Sequence, residues 1–189
     1  MVSTLSGKTT MSYMSVIEFW FEEATPAQWW QKSDVFDALI RNNFAELHQS
    51  AIHCELLTWR QRPLGRLAEV IVIDQFSRNL YRNQPQAFAH DSLALALAQQ
   101  TIAAGIDKRL DDKQRGFLYM PFMHSESREI QKQSMQLFSQ PGLEAHLSSA
   151  QRHQFIIEQF GRYPHRNEIL GRASTTEELA FLQQPGSSF

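Results

Sequence analysis

Two stretches of the chain set an acid, Gln, Phe, a small residue and Arg in the same order, with a second Arg four residues further on. They are Asp74-Gln75-Phe76-Ser77-Arg78 with Arg82, and Glu158-Gln159-Phe160-Gly161-Arg162 with Arg166. Asn79 adjoins the first copy, His165 and Asn167 flank the end of the second, and Arg172 follows. A guanidinium fork grips a carboxylate or phosphate through two parallel N–H donors, which a lysine cannot reproduce. If both copies end helices that face one cleft, Arg78, Asn79, Arg82, Arg162, His165, Arg166, Asn167 and Arg172 form a site for an anionic small molecule or a peptide carboxylate or phosphate. On that reading, removing Arg166 abolishes binding with little loss of melting temperature. A plainer meaning stands beside it, since an acid and Arg at i and i+4 make an ordinary helical ion pair and cations suit a helix C-terminus, each contributing tenths of a kcal/mol to about 1. Arg60, Arg62, Arg66, Arg78 and Arg82 meet only Glu69 and Asp74 between positions 60 and 82, whereas the first 57 residues are acidic. That imbalance suits either an anion site or internal compensation.

A second cluster, His124-Ser125-Glu126, could share a metal or form an acid–base pair. His153 could join it, but Ala150, Ile156, Ile157 and Phe160 surround it at helical spacing and turn it toward the core. Without a Cys cluster or an H-E-x-x-H motif, no dedicated metal site is expected. There is also no G-x-S-x-G elbow, Gly-rich phosphate loop or dinucleotide fingerprint, so no cofactor is called for. A hydrolase or transferase reading rests on His124 or His165 as general base, with the arginines stabilising charge. A third reading is a protein-interaction scaffold with no small-molecule site. Cys54 reads as a small buried filler, and Trp20, Trp29, Trp30, Phe36 and Phe44 read as core on helical stripes.

The elements that position these residues are helical throughout. Ser15 with Glu18 has capping-box spacing, Thr25-Pro26 places a cap before a proline, and Val35, Phe36, Leu39, Ile40, Phe44 and Leu47 recur at the step of one helix face. Positions 64 to 81 read as a buried helix, although Val70-Ile71-Val72-Ile73 alone resembles a strand. A helix over 87–104 stops at Gly105, and Asp111 with Gln114 opens one that Pro121 should end or kink. Helices over 125–139 and 143–160 follow, the second capped by Gly161, and Ser174 with Glu177 opens the last. No strand pair or hairpin turn is apparent. The prediction is an all-α single domain over 13–189, an α-α superhelix of antiparallel helices, behind a disordered tail at 1–12.

The 189 residues fit one domain, and 42% hydrophobic with 20% charged residues excludes disordered and low-complexity classes. A net charge of −2 offers no general attraction to nucleic acid or to an anionic membrane. The longest apolar run, Leu93 to Ala98, is far too short to cross a bilayer. One cysteine forms no intramolecular disulfide, which suits a reducing cytoplasm.

Seven motifs in order carry a resemblance: Phe19-Trp20-Phe21, Trp29-Trp30, Asp74 to Asn79, Phe117 to Phe122, His124-Ser125-Glu126, Phe160 to Asn167 and Leu170 to Thr175. Together they resemble the bacterial family catalogued as domain of unknown function 924, over about Val16 to Phe189. Met123 departs from that pattern, because family members more often carry Glu before the His. The resemblance implies a tetratricopeptide-like helical fold and brings no biochemical activity with it.

Overall fold

Capping chemistry sets where the helices begin. The computed structural model describes residues 11–188, so most of the expected tail lies outside the described residues. Helix α1 (Tyr13–Glu18) passes into a π turn (Phe19–Glu23), followed by α2 (Pro26–Trp30) and α3 (Asp34–Ile52). Helix α4 (Pro63–Ile71), a π turn (Val72–Phe76) and α5 (Ser77–Leu80) form one continuous rod. Then come α6 (Asp91–Ala103), α7 (Asp112–His124), α8 (Arg128–Phe138), α9 (Glu144–Phe160) and α10 (Thr176–Leu182). Short 3₁₀ turns at Leu57–Gln61, Pro85–Ala87, Asp107–Arg109 and Pro164–Arg166 join them. No strand occurs among the described residues, and no helix there is long and apolar enough to cross a membrane.

The caps at Thr25 and Asp111 form as the spacing predicts, each with its Gln partner. Two others shift. Ser12 rather than Ser15 caps α1, and Thr175 with Glu178 forms the last box rather than Ser174 with Glu177. Helix α7 also runs on through Pro121 to His124, because a proline in the last turn removes only one amide donor. The segment 70–73 is helical and fully buried, which accounts for its apolar run.

One core links α1 through α9. Phe19 and Trp20 meet Phe36, Phe44, Phe76 and Phe117, with ring centroids between 4.8 and 6.2 Å apart. Each such ring, fully buried, contributes roughly 1.5–3 kcal/mol. The two π turns therefore touch directly, through Phe19, Trp20 and Phe76. A smaller cluster of Ile156, Ile157 and Tyr163, with Phe160 and Phe181, seats the C-terminal region.

Three apolar expectations are corrected. Val35 is 81% exposed and Leu39 43% exposed, because α3 buries the Phe36, Ile40, Phe44 and Leu47 face and these two lie beside it. Cys54 is exposed, in the left-handed conformation of a reversal just after α3. Trp30, at the end of α2, is 57% exposed.

Candidate functional site

The rod of α4 and α5 and the turn after α9 approach each other across the start of α6. Gly161, at φ +71, closes α9 in a left-handed cap that L side chains rarely adopt. Tyr163 is then extended ahead of Pro164, as a residue before proline prefers. Its hydroxyl donates to the Met123 carbonyl at 2.5 Å and accepts from Gln131 Nε2 at 2.9 Å. The same Gln131 nitrogen lies 2.8 Å from the Met123 carbonyl and 2.7 Å from that of Ser125, its two N–H groups shared among these acceptors, which pins the end of α7 to this turn. Arg166 is thereby fixed at 5% exposure.

Arg166 lies between two rings, its guanidinium carbon 4.5 Å from the Phe88 centroid and 4.6 Å from that of Tyr163. It reaches Asp91 Oδ2 at 3.2 Å and donates to the His124 carbonyl at 3.2 Å, while its buried Nε has no hydrogen-bond partner among the described residues. Arg78 comes to the same Asp91, 3.1 Å from Oδ1, and also pairs with Asp74 at 3.2 Å. Thus the first Arg of one echoed motif and the second Arg of the other converge on a single carboxylate. Burial, and after it the neighbouring Arg78, lowers the Arg166 pKa against the pull of Asp91. An arginine stays protonated regardless, so that direction marks a positive charge its surroundings do not fully repay.

His124 stands beside this pair. Its Nδ1 lies 2.8 Å from Asp74 Oδ1, and since an ionised carboxylate only accepts, Nδ1 carries the proton. Nε2 is then the lone-pair nitrogen of a ring bordering the cavity. Burial first, then Arg78, pushes the His124 pKa down against the opposing pull of Asp74. His165 falls to about 4, through burial first and then Arg166, with the Lys32 ammonium and Arg172 adding to it. Both rings are neutral at pH 7.

The cleft bordered by these groups holds about 700 Å³. Arg78, Asn79, Arg82, His124, His165 and Arg166 line it, six of the ten residues singled out from the sequence. Arg82 forks onto Asp37 at 2.5 and 2.6 Å, and Asn79 donates to the same carboxylate at 2.8 Å. An adjoining hollow of about 360 Å³ shares Phe88, His124 and Arg166 with the cleft and adds Glu126.

Arg162, Asn167 and Arg172 lie outside both hollows and form a network of their own. Arg172 forks onto Glu126 at 2.7 and 2.9 Å and donates to Asn167 Oδ1, and Arg162 forks onto Glu178 at 2.7 and 2.8 Å. Fully buried Asn167 donates to Ser174 and Glu178. The helical i, i+4 pair forms only in the first motif, because Glu158 is exposed and Arg162 turns to Glu178. His124 and Glu126 do not pair with each other, and His153 is a core residue held by the Ser149 carbonyl at 2.7 Å. No cluster among the described residues brings together three or more His, Cys, Asp or Glu side chains able to hold a metal ion.

Sequence reasoning missed Asp91, Phe88, Trp29, Trp30 and Lys32 at these hollows. Only the tryptophans gave a signal, an adjacent pair just before a turn, and it pointed to the core.

Fold and site together define an all-helical protein with an arginine- and histidine-lined cleft. The chain matches the family described as "Bacterial protein of unknown function (DUF924)" over residues 16–186, and it belongs to that family. Its fold is similar to the solved structure of a protein of unknown function from Agrobacterium tumefaciens, at 35% identity and a TM-score of 0.87, covering 92% of this chain and 97% of that one. No curated protein matches the chain.

Proposed function

We propose that the cleft binds a small organic anion carrying a carboxylate or phosphate, in a cytoplasmic protein. The observation that carries this reading is Arg166, a buried guanidinium clamped between Phe88 and Tyr163 that shares its one carboxylate with Arg78. Burying a cation is costly unless it is fully paired, and half a share of Asp91 leaves this one short. A ligand anion supplies the remainder. Lys32 adds positive charge at the lining, and the neutral His165 brings no competing charge to it.

A thermal-shift screen against phosphorylated and carboxylated metabolites tests the reading. A ligand at 100 times its Kd adds about 2.7 kcal/mol, which for a domain of this size is a rise of roughly 5–10 °C. Arg166→Lys, which keeps the charge and loses the fork, should erase that rise, whereas Arg172→Lys should leave it intact. The Lys variant replaces outright removal, because a side chain this buried also supports the fold. A screen in which every anion leaves the melting point where it was sinks the proposal.

One observation favours a second reading, in which the bound anion is also a substrate. The Asp74 carboxylate holds the Nδ1 proton of His124, a ring that lines the cleft, and leaves Nε2 unprotonated, as a general base requires. Its test is turnover of a metabolite found by the screen, lost in His124→Gln with binding retained.

A further inference from the structure

We propose that the anion is aromatic or heteroaromatic, its ring stacking on Trp30 at the rim while its acidic group reaches the arginines; this rests on the anion reading above. Trp30 lines the same cleft as Arg78, Arg82 and Arg166. At 57% exposure it is set apart from the buried Trp20 and Trp59. Its exposure is not looseness. One face rests nearly parallel on Phe117, with centroids 5.8 Å apart and an interplanar angle of 6°. Trp29 meets it at 80° and His146 at 63°, with centroids 6.3 and 6.0 Å away. Trp29 is itself anchored, its indole N–H donating to the Trp20 carbonyl at 3.0 Å.

A large flat ring braced by three others, yet left open to water, has already lost its rotational freedom and adds little ordering cost when a second ring stacks on it. Such platforms accept any flat π system. Phe88, another aromatic ring of the lining, is less exposed than Trp30 and already has the guanidinium carbons of Arg166 and Arg78 over it at 4.5 and 5.8 Å. Gln31 and Asn83 also line the cleft, with amides able to meet the ring nitrogens or oxygens of a heterocycle.

The test is titration of the full chain with two matched pairs of probes, phenyl phosphate against inorganic phosphate and benzoate against acetate, followed by calorimetry and tryptophan emission. The aromatic member of at least one pair should bind about tenfold more tightly and change the emission. Trp30→Leu, which keeps Phe117 covered, should remove the advantage without altering affinity for the small member, and Trp30→Phe should restore most of it. Should Trp30→Leu fold poorly, the emission change must still vanish in Trp30→Phe. Equal affinities within both pairs, or an advantage that survives Trp30→Leu, overturn the aromatic subsite and leave the anion reading standing. Failure of all four probes to bind overturns both.

Discussion

His124 donates its Nδ1 proton to Asp74 across 2.8 Å, and the same buried carboxylate pairs with Arg78 at 3.2 Å. The candidate base and one candidate anion clamp are therefore fastened to a single acid, which also accepts from Gln75 Nε2 at 2.6 Å. Changing that acid should disturb both groups together.

Asp74→Asn keeps the shape and removes the charge. With its side chain 1% exposed, Asp74 is one of two carboxylates that Arg78 meets, and losing its charge should cost about 1–3 kcal/mol. Urea unfolding should show the midpoint falling by that amount divided by the slope, with the slope itself unchanged. Although burial pushes the Asp74 carboxyl up, Arg78 and His124 hold it well below the usual carboxylate range. Its share of stability is thus complete above about pH 4 and is lost as the pH falls below that. The mutant should show a shallower loss in this acid window than the parent, and identical acid profiles would refute the assignment.

Histidines act in a different window. His48 and His165 are lowered to about 4 and His153 to about 3, in each case chiefly by burial. The folded state rejects a proton that the unfolded chain accepts near pH 6.5. Stability is therefore full above that pH and falls as the medium acidifies toward 4, by up to about 1.4 kcal/mol per pH unit for each histidine. Melting temperatures taken at half-unit steps from pH 7.5 to 4.5 should decline steadily below 6.5. A level profile would mean that these rings are hydrated enough to titrate normally.

The last helix supplies a comparison of neighbours. Thr175→Ala should cost about 1 kcal/mol, since its hydroxyl accepts from the Glu178 amide at 3.2 Å. Ser174→Ala should cost less, because it removes one acceptor of the Asn167 amide and no cap. Chemical denaturation of the two variants gives the order, and the reverse order would return the cap to Ser174.

That helix also shows where the sequence was legible and where it was not. Positions 174–177 and 175–178 both satisfy the capping pattern, and local spacing alone ranks them equally. The tie is broken from a distance, by Arg162 and Asn167, which hold Glu178 in place. Helices at 34–52 and 63–80, and the glycine ending α9, follow from periodicity and backbone sterics alone and needed no such help. The convergence of Arg78 and Arg166 could be posed from the echoed motifs, but Asp91 carries no motif of its own. Cys54 and Trp30 were misjudged for one reason: periodicity marks a helix face and stops informing at the turn beyond it. The site lies largely in such turns.

The π turn at Val72–Phe76 has a consequence for how this site tolerates change. Each helical residue advances the next side chain by about 100° around the axis. A π turn holds one residue more than the α turn it replaces, so losing one position there would restore regular winding and leave Arg78 and Asn79 facing Asp91 and Asp37, whereas losing one elsewhere in the rod would turn them a quarter-circle away. None of the rod's residues is exposed, so a deletion that spares the aim of the cleft would still take apolar contacts from the core.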